Sequence, residues 1–402
     1  MSVSSPQNEN TTMFQSFYNG LSGLLSFSKG LNQISNNVSN MNTPGFKAKD
    51  VFYSSVSSDS GTYISGDTIR SKPGDIRRTG NATNVAIDGN GYFILRGEGK
   101  TYYTRAGQFT FNKNNILVDE TSGYAVAGID ASGRLIDIDI NAYRFLPPEA
   151  TTAIKMSGNI SSDTQSYAIS GVPAFNQLGE NLGYNIEFSD RLALTRTEKD
   201  ANNNDIEIPT GEISWTVTVK NSQGDVVATG QVRYDAEGRI MSGFDSISID
   251  NGGQEPIVLD FSGTTGFSAG DTSDMSALVK DGHALTGLAK VRFTETGKLE
   301  LTYANAEKKT VFQLALANVN SPQVLRQENG ALFSVLDEQE MTIERPGSGV
   351  MGKIVGDSIE LANVDLSEEF AEMMIVQRGY QSSSKVLSIA NEMIETLYNS
   401  TR

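Results

Sequence analysis

The sequence predicts a mainly β protein with an α-helix near each terminus and its β-modules nested one inside another. Apolar residues recur with helical spacing over residues 13–41 and 366–398, and this period nearly vanishes between them. From about 46 to 365, short runs such as Tyr92-Phe93-Ile94-Leu95 and Ile213-Ser214-Trp215-Thr216-Val217-Thr218-Val219 read as strands. Turn signals separate them at short intervals: Asp88-Gly89-Asn90-Gly91, Asn221-Ser222-Gln223-Gly224, Glu237-Gly238 and Asn251-Gly252-Gly253. Many short strands with Gly/Asn turns imply sandwich or barrel-like modules rather than βαβ units. With 402 residues the chain buries a substantial core and holds two or three domains.

Taken in order, residues 1–12 are polar and are expected to form a flexible leader. A helical segment over 13–45 follows, with Phe14, Phe17, Leu21, Leu24, Leu31, Ile34 and Val38 on its apolar side. Asn42-Thr43-Pro44-Gly45 ends it, because Pro lacks a donor and Gly supplies a helix stop. Gly20, Gly23 and Gly30 each cost about 1 kcal/mol relative to Ala in a helix interior. That helix therefore needs packing to exist, and the glycines let a neighbouring backbone approach closely. We expect both terminal segments to gain their order on assembly. Residues 46–74 read as a connector.

An outer β-domain is expected in two passes, 75–152 and 286–360, around an inserted β-domain at 153–285. Pro147-Pro148 marks one edge of the insertion and Asp281-Gly282-His283 the other, before a new pattern at Val291, Phe293, Leu299 and Leu301. Trp215, alternating with Val217 and Val219, reads as its core. The C-terminal helix, 361–402, carries a heptad: Leu366, Met373, Tyr380, Leu387 and Ile394, with Val376, Ser383, Ala390 and Leu397 offset by three. Phe370 and Tyr398 widen that seam, and Asp365 and Ser367-Glu368-Glu369 place acid at the positive end of the helix dipole. At ~1.5 Å per residue this helix is about 50 Å long. The two terminal helices are expected to pair as a coiled-coil-like inner domain. Periodicity alone leaves two uses open for them, an intramolecular hairpin or a joint between subunits.

A net charge of −16 with no basic run opposes binding to nucleic acid or anionic lipid. Cysteine is absent, which excludes disulfides, thiolate metal sites and a cysteine nucleophile. MSVSSPQNENTT lacks the charged-then-apolar pattern of a secretory signal, and no apolar run approaches the ~18 residues of a membrane span. Gly266-Phe267-Ser268-Ala269-Gly270 fits G-x-S-x-G, but no helix period follows it and His283 is the single histidine. Gly97-Glu98-Gly99-Lys100-Thr101 lacks the first glycine of a phosphate loop and reads as a hairpin turn. Asp200, Asn202 and Asn204 imitate a calcium loop, with Asp205 where Gly is needed and Gly211 where a bidentate Glu belongs. No catalytic, cofactor or metal residue is nominated, and the chain is not expected to be an enzyme.

The stretch Ile34–Lys47 resembles the N-terminal signature of the bacterial flagellar rod and hook proteins, through Asn36, Asn37, Asn40, Asn42, Thr43, Gly45, Phe46 and Lys47. Residues 363–370, with Gln377, Arg378, Tyr380 and Gln381, look like the matching C-terminal segment. Residues 85–93 and 103–109 resemble the family's outer β-domain, while 334–356 follows it loosely. Length and the stretch Ile257–Thr265 favour hook over rod. The resemblance implies a structural subunit, exported without a cleaved signal and polymerising outside the cell into a curved hollow tube that acts as a universal joint. Implied partners are copies of itself, rod, hook-cap and hook–filament junction proteins, and the flagellar export apparatus. Alternatives are a distal rod subunit, or a secreted adhesive or carbohydrate-binding β-protein.

Overall fold

In the computed structural model, residues 6–57, 60–200, 203–250, 255–319, 321–335 and 337–400 are described. They divide into two compact units. The first comprises Met1–Ala142, Ala289–Thr302 and Lys308–Arg402; the second comprises Tyr143–Leu288 and Tyr303–Glu307. The insertion thus starts earlier than the expected 153 and claims a short turn from the returning chain.

In the first unit, helix α1 spans Pro6–Ser39 and helix α2 spans Leu366–Ser400. α1 begins before the expected Met13, because proline is well suited to the first helical position, where its missing N–H is not needed. The leader is correspondingly shorter than 1–12, and residues 1–5 lie outside the described set. α1 ends at Ser39, before the expected 45, and residues 40–45 form turns. Gly45 adopts φ +70°, and a Cβ there would lie 2.1 Å from the backbone nitrogen of Ala106, so only glycine fits.

The helices pack antiparallel. Gly20 lies against Leu387, Gly23 against Ser383, Phe27 against Gly379, and Gly30 against Val376. The α2 face is the predicted heptad: Val376 and Ala390 are buried, and Leu366, Met373, Ser383, Leu387 and Ile394 half-buried. The α1 face is different from the one read in the sequence. Its buried positions are Gly20, Gly23, Ser26, Gly30, Ile34 and Asn37, while Phe17, Leu24, Leu31 and Val38 are half-buried and Phe14 and Leu21 are exposed. Small residues win the seam because they admit the partner backbone. By the same logic Gly379 displaces Tyr380 to the seam's margin, and Phe370 and Tyr398 face outward. The side chain of Leu397 lies outside the described residues.

The expected connector is a long β-hairpin, Lys49–Ser57 with Ser60–Ile69. It lies along α1: Ser26 Oγ donates to the Thr62 carbonyl at 2.8 Å, Thr62 N donates to Ser22 Oγ at 3.2 Å, and the Phe27 and Tyr53 rings sit 5.6 Å apart. Its serine-rich sequence hid it, because strand propensity there is low and packing on α1 supplies the stability.

Strands from before and after the insertion share one sheet. Tyr92–Gly97 pairs with Lys100–Thr104 and also with Leu316–Val319, and Lys100–Thr104 pairs with Leu332–Val335. Ile94, Tyr103, Ala127, Ala317, Leu325 and Phe333 close its core. Val85–Asp88 pairs with Lys353–Gly356, and Ile76–Arg78 with Ser358–Glu360. The Gly97–Lys100 turn is a tight hairpin, with positive φ at Glu98 and Gly99.

The second unit is a sandwich of two four-stranded sheets. One runs Tyr167–Val172, Tyr184–Lys199, Asp205–Lys220, Val226–Tyr234; the other runs Ser246–Ile249, Ile257–Thr265, Ala153–Asn159, Ser276–Val279. Trp215, Val217 and Val219 point into the core with Phe188, Tyr234 and Phe261. A single turn device recurs through both units. Asn112, Asp130, Asn176, Asp200, Asn221 and Asp235 each accept the N–H four residues on, at 2.8–3.1 Å, through their own side-chain oxygen. The fourth residue of each turn has positive φ. The turn at 251–253 and Asn202 lie outside the described residues.

Candidate functional site

The family-like motif of α1 converges on the start of α2 and the outer sheet. Asn37 is buried; its amide nitrogen donates to Glu369 Oε2 at 3.1 Å and to the Lys49 carbonyl at 3.0 Å, and its oxygen accepts Lys49 N at 3.1 Å. Glu369 is fully buried and also meets Arg70 Nη1 at 3.0 Å. Arg70 in turn holds Asp50 at 2.7 Å and Glu368 at 3.3 Å. Burial pushes the Glu369 carboxyl above its ordinary range; Asn37 and Arg70 oppose that, and Asp50 and Glu368 add to it. Asp365 caps α2 by accepting Ser367 N at 2.8 Å.

A second cluster lies beside the first. The Lys47 ammonium is buried and donates to Glu360 Oε1 at 2.6 Å and to the Lys72 carbonyl at 3.1 Å. Glu360 is fully buried, accepts Gly74 N at 2.9 Å, and meets Arg105 Nε at 3.2 Å. Arg105 reaches on to the Gly89 carbonyl at 2.8 Å. Burial draws the Lys47 pKa down, partly offset by Glu360. Asn363 ties the clusters together, accepting Ala48 N at 2.7 Å and donating to the Arg70 and Lys72 carbonyls. Buried pairs of this kind add little net stability, but losing one partner costs ~3–5 kcal/mol. The arrangement therefore acts as a clamp, fixing α1, the hairpin, α2 and the outer sheet in one register.

Of the predicted motif residues, Asn37, Gly45, Phe46 and Lys47 form this clamp. Asn36, Asn40 and Thr43 cap the end of α1: Asn40 Nδ2 donates to the Asn36 carbonyl at 2.9 Å and Thr43 Oγ1 to Asn40 Oδ1 at 3.2 Å. Asn42 is exposed. Gln377, Arg378 and Gln381 are exposed on α2 and Tyr380 lies at its margin, so none of them joins the clamp. The sequence reading missed Arg70, Arg105, Glu360 and Glu369 as clamp residues. One signal was legible: Glu360 interrupts the apolar run Ile359-Glu360-Leu361, where an acid needs a buried cation.

Outside the seam both helices keep apolar stripes in solvent. Phe14 is 66% exposed, and Tyr18, Leu21 and Leu25 continue the line at helical spacing; Val386, Ile389 and Met393 form another on α2. Contiguous exposed apolar stripes of this kind mark interaction surfaces. Ser268 donates to Asp163, while His283 contacts Glu149 and Glu307 at the opposite end of the second unit, so the G-x-S-x-G serine and the histidine are not brought together. The Asp200 carboxylate caps its own hairpin. Among the described residues no helix is long and apolar enough to cross a membrane.

A clamped pair of helices with uncovered apolar faces, carrying nested β-modules, defines an assembly subunit. Family models agree along the chain. "Flagella basal body rod protein" matches residues 17–47, "Flagellar hook protein FlgE/F/G D1 domain" matches 86–170, and "Flagellar basal body rod FlgEFG protein C-terminal" matches 356–400. The flagellar hook protein FlgE of Brucella suis is 30% identical over 408 residues, covering 95% of this chain and 98% of that protein. FlgE of Escherichia coli K12 is 24% identical over 412 residues, covering 95% and 99%. The crystal structure of Helicobacter pylori FlgE2 aligns over 70% of this chain and 98% of that one, with 12% identity and a TM-score of 0.43. The chain belongs to the flagellar hook protein FlgE family.

Proposed function

We propose that the chain is the structural subunit of a bacterial flagellar hook, polymerising into a hollow curved tube that carries motor torque to the filament. The observation that carries this is the near end-to-end similarity to a named hook protein, inserted unit included. The stripes on α1 and α2 supply apolar surface for neighbouring copies, and the clamp transmits load from helices to β-modules. Rod, hook-cap and hook–filament junction proteins and the export apparatus are the partners this role implies, and an extracellular location reached without a cleaved signal goes with it. Within one chain α1 packs on α2; assembly covers the remaining stripes and adds order to the terminal helices, so amide exchange over 13–40 should be slower in tubes than in the monomer. Electron microscopy of purified protein under polymerising conditions tests the whole reading: curved tubes support it, and a chain that stays dispersed refutes it.

Bending requires outer contacts that slide at little cost while the helices hold axial register. The polar inserted domain fits that part, so deleting 153–285 should straighten, stiffen or destabilise the tubes. A distal rod subunit is the second reading, favoured by the rod descriptions matched at 17–47 and 356–400. Straight, rigid tubes from the intact chain would select it.

A further inference from the structure

The second unit carries a projecting ribbon. Tyr184–Lys199 and Asp205–Lys220 remain paired to Lys199↔Asp205, whereas the flanking strands stop at Phe188↔Tyr167 and Ile213↔Tyr234. From Leu192 to Lys199 the ribbon reaches about 25 Å at ~3.3 Å per residue. Its two faces differ. Ile206 opposes Glu198 and Ile208 opposes Arg196 on one face; Thr197 opposes Glu207, and Lys199 opposes Asp205, on the other. Leu192, 59% exposed, adds apolar surface at the root. The edges are guarded against a further strand, since Pro209 removes a donor and bulges interrupt the register at Ser189/Leu192 and Ala193/Thr195. A partner must therefore meet the ribbon by its face.

The matching surface lies at the other end of the same unit. The ribbon leaves beside Tyr234, whose hydroxyl is bonded to Thr264, at the Asn159 end of the Ala153–Asn159 strand. Leu178 and Leu285, 79% and 60% exposed, stand at the opposite end, where Thr151 N donates to the Phe175 carbonyl. They are neighbours: a Cβ on Gly179 would lie 2.8 Å from Pro148 and 3.3 Å from Leu285 N. Exposed Glu149 and Glu307 rim this patch. Arg196, exposed and held by Glu198 at 2.7 Å, is the one cation on the isoleucine face among the described residues.

We propose that the ribbon seats its Ile206–Ile208 face on the Leu178–Leu285 patch of a second copy of the chain, with Arg196 turning to the acidic rim. Complementary surfaces at opposite ends of one unit cannot satisfy each other within a chain, but they repeat indefinitely head to tail. The contact rests on the hook reading, which supplies the polymer. It gives the inserted domain a small, separable joint that can shift while the helices hold.

The absence of native cysteine makes a clean test. Tubes of the full chain carrying Leu178→Cys with Ile206→Cys are oxidised mildly and run without reductant. A ladder of multimers is expected, lost in either single variant and in Leu178→Cys with Thr197→Cys, because a disulfide needs Cα atoms within about 7 Å and Cβ vectors that point toward each other, and Thr197 lies on the opposite face. Tubes without a ladder overturn this contact and leave the hook reading standing. A ladder equally strong from Thr197→Cys overturns the face assignment. A parent chain that forms no tubes overturns both.

Discussion

Asn37 and Glu369 stand 332 residues apart in the chain and meet in a buried hydrogen bond of 3.1 Å, which joins the end of α1 to the first turn of α2. The same side chain also holds the Lys49 N–H and carbonyl of the hairpin and accepts Gln33 Nε2 at 3.1 Å. Asn37→Ala should destabilise the first unit by about 2–4 kcal/mol, since it takes one partner from a buried carboxylate as well as removing four bonds. Urea unfolding followed by helical circular dichroism measures it. Asn37→Asp should be worse wherever Glu369 is ionised, from like charge between the two carboxylates.

The raised Glu369 pKa carries a sign. In the window above its ordinary 4.5, the folded state holds the proton more tightly than the unfolded state does. Stability contributed by this group is therefore present below that value and falls as pH rises toward the folded pKa. Glu369→Gln should flatten this part of the stability–pH curve. An unchanged slope in the variant would reject the assignment, unless Glu372, raised also by burial, dominates; Glu369→Gln with Glu372→Gln then decides.

Lys47→Met should cost ~3–5 kcal/mol, because Glu360 keeps Arg105 but loses its shorter partner while both side chains are buried. Lys47→Met with Glu360→Gln should recover part of that loss. The comparison is a double-mutant cycle by urea denaturation, with a coupling beyond about 1 kcal/mol expected.

Gly20→Val tests the seam. A Cβ at Gly20 lies 3.2 Å from the Ser383 carbonyl oxygen, which is backbone and cannot swing aside. The helices must separate or slip, so tubes should fail to form even though valine has better intrinsic helix propensity than glycine. Gly66→Ala, with nothing within 4 Å, is the control and should assemble normally.

Leu25→Glu or Ile389→Glu should leave monomer stability within about 0.5 kcal/mol, since both side chains are in solvent. Polymerisation should nevertheless be lost. Sedimentation of the two variants beside the parent separates an assembly defect from a folding defect.

The heptad of α2 was legible because one partner helix reads a fixed face. The face of α1 was not, because glycine and serine carry no hydrophobic signal and gain their place only once Ser383, Val376 and Leu387 are opposite them. The strands around Trp215 were visible from alternation, and the asparagine and aspartate turns from their spacing. The hairpin at 49–69 was hidden by its serines. In the clamp, Asn37 and Lys47 were named through family likeness, whereas Arg70, Arg105, Glu360 and Glu369 needed three dimensions. A buried charge announces itself in sequence only when its apolar neighbours are contiguous, as around Glu360.

The pairing of Arg77 with Ile359 and of Phe93 with Leu316 imposes an order on folding. A chain synthesised amino end first cannot complete its outer sheet until residues beyond 315 have emerged, whereas the Trp215 sandwich finds its strand partners inside Tyr143–Leu288. The middle of the molecule is therefore ready first, and the two ends wait for one another. The first unit closes only when its last strands and α2 have formed.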